Sequence, residues 1–265
     1  MHAQRLEDDI NAFAAESAER QLYTVRTEYD AKCHCVRLSV TTVESLPARW
    51  GLRIGDIANN FRAALDHLTW VLVKRGTITL SDNELKRVYF PLASSRDDLN
   101  AKFGPKQPLR GLRRADRAII RRYQPYMRGK RKLPLHCLTP LPDITSDDKH
   151  REIRPLLAAP TGGRLHITGA TDCEITRVPD RARRVILDVD AEIHRVYVRK
   201  TGPNPDVQMH AVLAAKPMLN ERVWLESWYH AITWHIWGLL SDFSPPPEEI
   251  GDLGVDFMRG HGDFF

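Results

Sequence analysis

Three side chains capable of phosphodiester chemistry stand close together in one predicted helix: Arg62, Asp66 and His67. An unperturbed histidine has a pKa of about 6.5, so it can both give and take a proton near neutral pH. A guanidinium neutralises the charge that develops on a phosphate during cleavage. RNA carries its own nucleophile, the 2′-hydroxyl. The pattern therefore predicts metal-independent cleavage of RNA, with Asn60 as a further polar group beside His67 on the same helix.

A second polar cluster stands later in the chain, where Asp148, Lys149, His150 and Arg151 are consecutive. Thr145, three residues before Asp148, resembles a helix cap, and the amide groups of a helix N-terminus bind phosphate. If the two clusters meet, His67 and His150 supply the acid and the base of one cleavage reaction. The alternative is a buried polar network that fixes the register of two helices without catalysis.

Metal sites are alternatives to this interpretation. Four of the same side chains could hold a divalent ion as a hydrolase centre: Asp66, His67, Asp148 and His150. Cys33-His34-Cys35, with His136-Cys137 or Cys173, could form a zinc site. No Cys-x2-Cys pair exists, so small core residues of a hairpin are the favoured interpretation of these cysteines. We expect no metal and no cofactor.

Basic side chains are concentrated between Lys106 and Lys132, where eleven lysines and arginines face one acid, Asp116. This segment has a formal charge of +10, and the rest of the chain sums to −5. Such a density attracts polyphosphate by counterion release, and Tyr123 and Tyr126 offer stacking surfaces for bases. The segment therefore predicts an RNA partner. Its expected phosphate contacts are Arg113, Arg114, Arg117 and Arg121.

The elements that would position these residues are mainly helical. Residues 50–75 carry an apolar stripe at helical spacing, and residues 21–43 alternate as a β-hairpin does. We expect an α+β chain that is mainly an α-helical bundle, with an N-terminal hairpin and an inserted antiparallel β-rich segment. The expected organisation is a helical body over 1–160, the β-rich insertion over 161–218, a final helix over 219–243 and an acidic tail over 244–265.

The helix at 50–75 resembles the HEPN superfamily of helical-bundle proteins, whose signature is an arginine followed by four to six residues and a histidine. Arg62-Ala-Ala-Leu-Asp-His67 fits that spacing. The resemblance implies a metal-free ribonuclease with His67 transferring protons and Arg62 stabilising the transition state. It also implies a cleft at a homodimer interface and a toxin or anti-phage defence role. The N-x-R-x-x-L-D-H-L helix with the later D-K-H-R also resembles an uncharacterised bacterial and phage family, which carries no activity over.

Composition agrees with a globular protein: 42% of the 265 residues are hydrophobic and 28% are charged. We find no apolar run near the roughly 18 residues of a membrane span and no signal-peptide pattern, so we expect a cytoplasmic protein without membrane contact. The competing function is a non-catalytic protein that binds nucleic acid or another partner through the basic segment, with its polar motifs serving structure.

Overall fold

The protein is a mixed α and β structure. The computed structural model describes residues 8, 11–12, 22–150, 153, 155–159, 164–179, 185–212, 215–219 and 223–243, without the side chains at 147–150, 164 and 212. Within these ranges, six α-helices and ten strands in three antiparallel sheets give 42% helix and 28% strand. The expectation of a mainly α-helical bundle is therefore wrong.

The helices are α1 Arg49–Lys74, α2 Asp82–Leu85, α3 Arg96–Lys102, α4 Arg114–Arg122, α5 Leu141–His150 and α6 Leu225–Phe243. Three short 3₁₀ helices cover Pro108–Gly111, Pro125–Arg128 and Leu133–Leu135. The strands are β1 Tyr23–Asp30, β2 Cys35–Val43, β3 Leu156–Ala159, β4 Arg164–Thr171, β5 Cys173–Arg177, β6 Val185–Ile186, β7 Glu192–Lys200, β8 Asp206–Val212, β9 Lys216–Leu219 and β10 Val223–Trp224.

The hairpin of β1 and β2 belongs to a larger sheet, and for this reason the chain is not a helical bundle. A two-stranded hairpin cannot bury an apolar face by itself. Here β2 pairs with β7 and β7 pairs with β5, so the first sheet has the order β1-β2-β7-β5. Val36 and Leu38 of β2 and Val196 of β7 are fully buried. Strands from residues 173–200 therefore complete the sheet of the N-terminal hairpin, and the β-rich segment is not an insertion into a helical body.

The same core is closed by the other strands. The second sheet has the order β10-β9-β3-β6, and β4 pairs with β8 in the third. Leu157 of β3 and Val207 and Met209 of β8 belong to the buried cluster that contains the first sheet's side chains. The Tyr23 hydroxyl donates to the Ala211 carbonyl oxygen at 3.0 Å, which satisfies a buried polar group within this core.

The chain divides into two compact units. One contains Met1–Ala64 and Arg128–Ile232, and the other contains Leu65–Met127 and Thr233–Phe265. We call them the β unit and the helical unit. Both α1 and α6 continue from one unit into the other. The acidic tail expected over 244–265 lies outside the described residues. No helix in the described ranges is both long and apolar enough to cross a membrane.

In the helical unit, the end of α1 lies against the turn that precedes α4. Leu65, Leu72 and Val73 of α1 are buried. A Cβ added to Gly76 would fall 1.9 Å from the Gly111 carbonyl oxygen, closer than real atoms approach. The two backbones therefore approach this closely because Gly76 lacks a side chain, and the contact brings the segment before α4 next to the C-terminal end of α1.

Candidate nucleic-acid interface

Helix α4 is a short basic helix that begins with two arginines, Arg113 at its N-cap and Arg114. Asp116 lies in its first turn, and Arg121 and Arg122 lie in its last turn. Acids near a helix N-terminus and bases near its C-terminus are stabilised by the helix dipole. Asp116 and Ile120 are buried, whereas Arg113, Arg114 and Arg122 are exposed. The helix therefore turns two residues inward and presents arginines to solvent.

Three arginines in or beside α4 donate hydrogen bonds to uncharged oxygens: Arg113, Arg117 and Arg121. The Arg117 Nε donates to the Leu112 carbonyl oxygen at 3.1 Å, and its Nη2 donates to the Arg110 carbonyl oxygen at 2.6 Å. Arg113 donates to the Arg75 carbonyl oxygen, and Arg121 donates to the Asn100 side-chain oxygen at 3.1 Å. A neutral acceptor orders a guanidinium without cancelling its charge. These arginines are therefore fixed and still cationic.

Two other arginines pair with carboxylates. Arg110 lies 2.6 Å from Glu84, and Arg122 lies 3.2 Å from Asp242. The Ser81 backbone N–H bonded to the Glu84 carboxylate, together with Arg110, lowers the pKa of Glu84 to about 2. Glu84 is thus ionised throughout the neutral range. These pairs offset part of the positive charge around α4.

The remaining ion pair fastens α4 to α1. Asp116, 3% exposed, accepts from the Arg75 guanidinium at 2.7 Å. We use the name α4 basic cluster for Arg75, Lys106, Arg110, Arg113, Arg114, Arg117, Arg121 and Arg122. Its carboxylate partners are Glu84, Asp116 and Asp242. Eight cations against three carboxylate partners leave this set with a positive excess among the residues that the structure describes.

Tyr123, which the sequence predicts as a stacking surface for bases, makes contacts within the protein instead. Its hydroxyl donates to the Asp242 carboxylate at 2.9 Å, and its ring meets the His235 ring edge-on at 5.1 Å between centroids. Burial, followed by the hydrogen bond to Asp242, raises the pKa of Tyr123 to about 12. Its ring is thus committed to α6, and a base would have to displace that packing.

The predicted Arg62-to-His67 motif lies on α1, but its members have different surroundings. His67 and Asn60 are exposed, whereas Arg62 is half-buried. Residues five apart on a helix differ by about 140° in direction, so Arg62 and His67 do not share a face. Asp66 accepts the Phe90 backbone N–H at 2.7 Å and therefore fastens the segment after α2 to α1. Asp66 thus has a structural contact that the sequence did not indicate.

The second predicted cluster is described only in part. Asp148, Lys149 and His150 lie in the last turn of α5, at its C-terminal end, and their side chains are outside the described set. The sequence placed them at a helix start, so the expected N-terminal phosphate site does not form on α5. Arg151 also lies outside the described residues. The predicted meeting of His150 with His67 stays a prediction.

The cysteine pair of the hairpin is a disulfide. Cys33 and Cys35 are joined to each other, and the remaining cysteines, Cys137 and Cys173, are buried thiols. A sulfur bound to another sulfur is not the thiolate that zinc requires. The zinc alternative built on Cys33 and Cys35 therefore does not fit this structure.

Two exposed residues of α1 escaped the sequence reasoning. Trp70 and Lys74 lie three and seven residues after His67, on the same helix face. Trp70 is 39% exposed, and the Lys74 Nζ lies 4.4 Å from the centroid of its ring. The sequence offered one signal for Trp70. It lies three residues after His67, so it falls on the face of His67 and outside the apolar stripe of the helix.

Comparisons with protein-family models, with curated proteins and with solved structures each return no match for this chain.

Proposed function

We propose that this chain binds RNA through the α4 basic cluster. The observation that carries the proposal is the set of arginines ordered by uncharged oxygens, Arg113, Arg117 and Arg121. A cation that is already ordered loses little side-chain entropy when it meets a phosphate, and its charge is available because no carboxylate in the described part of the chain pairs with it. A solvated helix face with balanced charges would lack both properties.

The two cations of the cluster for which no acceptor is found among the described residues are Lys106 and Arg114, and both are exposed. They are the safest places to remove charge, because the ordered arginines also support the fold. The test is the affinity for a labelled single-stranded RNA, measured by fluorescence anisotropy at several salt concentrations. The variant is Lys106→Gln/Arg114→Gln. The matched control is Lys200→Gln/Lys216→Gln, which removes two exposed cations of the β unit.

We expect the first variant to bind several-fold more weakly and its salt dependence to fall. Each phosphate contact on a single strand contributes about 0.7 to the slope of log affinity against log salt, so the loss of two contacts reduces the slope by about 1.4. The control should match the wild type. The proposal is wrong if the wild type does not bind RNA or if both double variants lose the same affinity.

A second candidate function is metal-independent cleavage of the bound RNA. The observation that favours it is the exposure of His67 on the face that also carries Trp70 and Lys74, because a general acid or base must reach the backbone that it acts on. Proton transfer by a positioned side chain typically contributes about 10²–10⁴-fold to a rate. The resemblance of Arg62–His67 to the HEPN motif supports the same assignment.

Incubation of the purified protein with total RNA tests the cleavage. We expect fragments to form in the presence of EDTA and to disappear in His67→Ala. His230→Ala is the matched control, since His230 is an exposed histidine of α6 in the β unit. Cleavage that stops in EDTA, or that survives in His67→Ala, would eliminate this candidate. RNA binding without cleavage would leave the chain a binding protein.

A further inference from the structure

One exposed face of α1 combines an aromatic ring with a lysine. Trp70 and Val71 lie three and four residues after His67, and Lys74 lies four and three residues after them, which places all four on one side of the helix. All four are exposed, with Val71 at 52% and Trp70 at 39%. Tryptophan has a large apolar surface, so its exposure on a continuous face is typical of a surface that meets a ligand.

The Trp70 ring is held in place by its neighbour on the helix. With its Nζ over the ring, 4.4 Å from the centroid, Lys74 makes a cation–π contact. This contact restricts the indole and places a positive charge directly beside it. A ring that is already positioned and flanked by a cation suits a nucleotide, because the base can stack while the phosphate meets the ammonium group.

In the chain, this face is followed directly by a member of the α4 basic cluster. Lys74 precedes Arg75, which pairs with Asp116 of α4 and whose carbonyl oxygen accepts from Arg113. The contact between Gly76 and Gly111 holds the same two elements together. A base stacked on Trp70 therefore has the Lys74 ammonium group beside it, and Arg75, which contacts the start of α4, follows Lys74 in the chain.

We infer that the α1 face of Trp70 and Lys74 is a stacking site for an unpaired base, so that the chain selects single-stranded over double-stranded RNA. The inference rests on the proposed function and adds the class of RNA to it. A base inside a duplex is already stacked and paired, so it cannot lie on a protein side chain, whereas a single strand offers its bases freely. A second copy of this chain is a poor occupant, because it would bring the same uncancelled cations to the contact.

The test compares a labelled single-stranded RNA of about 12 nucleotides with a duplex of the same sequence. Trp70→Ala should weaken binding of the single strand about 5- to 150-fold, the range for loss of one base–aromatic stack. It should leave duplex binding unchanged. Trp70→Phe keeps an aromatic ring and should retain most of the affinity, and Lys74→Gln should weaken the single strand without removing the ring. Trp237→Ala is the matched control, because Trp237 is an exposed tryptophan of the helical unit, on α6.

The outcomes separate this inference from the proposed function. If Lys106→Gln/Arg114→Gln loses RNA affinity while Trp70→Ala and Lys74→Gln bind the single strand like wild type, the stacking site is wrong and RNA binding stands. If wild type binds duplex and single strand equally, the stacking site is also wrong. If Trp70→Ala changes the oligomeric state by sedimentation and not the RNA affinity, the face serves self-association and the inference falls. If wild type binds no RNA, both proposals fail.

Discussion

Asp66 shows how a single residue can satisfy a motif and yet serve the fold. Its position between Arg62 and His67 suggests a member of a catalytic group, but its carboxylate accepts the Phe90 backbone N–H. That amide lies near the core, where a polar group needs a hydrogen-bond partner, because Phe90 is 2% exposed. An aspartate cannot be assigned to catalysis until such local donors are accounted for. His67, which is exposed, is the member of the motif that can meet a ligand.

The four cysteines give a prediction at the same scale. Burial raises the pKa of the Cys137 thiol to about 12, so near pH 8 roughly one molecule in ten thousand carries the reactive thiolate. Cys33 and Cys35 are protected by their disulfide. We expect the native protein to gain no label at these three residues from brief iodoacetamide treatment, measured by mass spectrometry of peptides. After mild reduction, the half-exposed Cys33 should be labelled faster than the buried Cys35.

The unfolded, reduced protein is the control and should take up label at all four cysteines. Labelling of Cys33 before reduction would contradict the disulfide. Fast native labelling of Cys137 would contradict its burial, since a raised pKa leaves the thiol protonated and unreactive at every pH well below 12.

At the scale of elements, the sequence predicts what depends on local spacing. The helical periodicity of 50–75 corresponds to α1 at Arg49–Lys74, and the alternation of 21–43 corresponds to β1 and β2. These patterns are local because each is set by which side chains of one segment face the core. Pairing between distant segments leaves no such trace. The partnership of Cys35 with Tyr197 across β2 and β7 therefore could not be foreseen, and the helical-bundle expectation failed there.

The candidate site, like the fold, could be predicted only in part from the sequence. The charge density of the basic segment is visible in the sequence, but the partners that decide its role are not. Arg121 donates a hydrogen bond to Asn100 on α3. Arg122 forms an ion pair with Asp242 on α6, which is more than a hundred residues away in the chain. Trp70 looks like one more apolar residue of a helix until the structure places it in solvent. Long-range contacts, which determine whether a charge is cancelled and whether a ring is buried, are the part that sequence patterns leave out.

For the whole molecule, the net charge of +5 conceals an uneven distribution. The α4 basic cluster consists of lysine and arginine, whose ordinary pKa values of about 10 or more keep them charged at every physiological pH. Its surroundings are equally constant: Glu84 is ionised down to about pH 2, and Tyr123 stays neutral up to about pH 12. The charge of the cluster should therefore change little between about pH 6 and 9, where lysine and arginine ordinarily stay protonated.

We expect the RNA affinity to change less than about twofold between roughly pH 6 and 9 at fixed ionic strength, because lysine and arginine ordinarily titrate at about pH 10 or above and Glu84 stays ionised down to about pH 2. Cleavage by His67 would behave differently, since histidine is the side chain that ordinarily changes charge near neutral pH. The measurement is anisotropy across the pH range for wild type and His67→Ala, with the fold checked by circular dichroism at each pH. The opposite outcome is an affinity that rises severalfold toward acid in wild type and stays flat in His67→Ala. It would show that the imidazolium of His67, rather than the α4 basic cluster, attracts the RNA. The centre of the interface would then lie on α1 instead of α4.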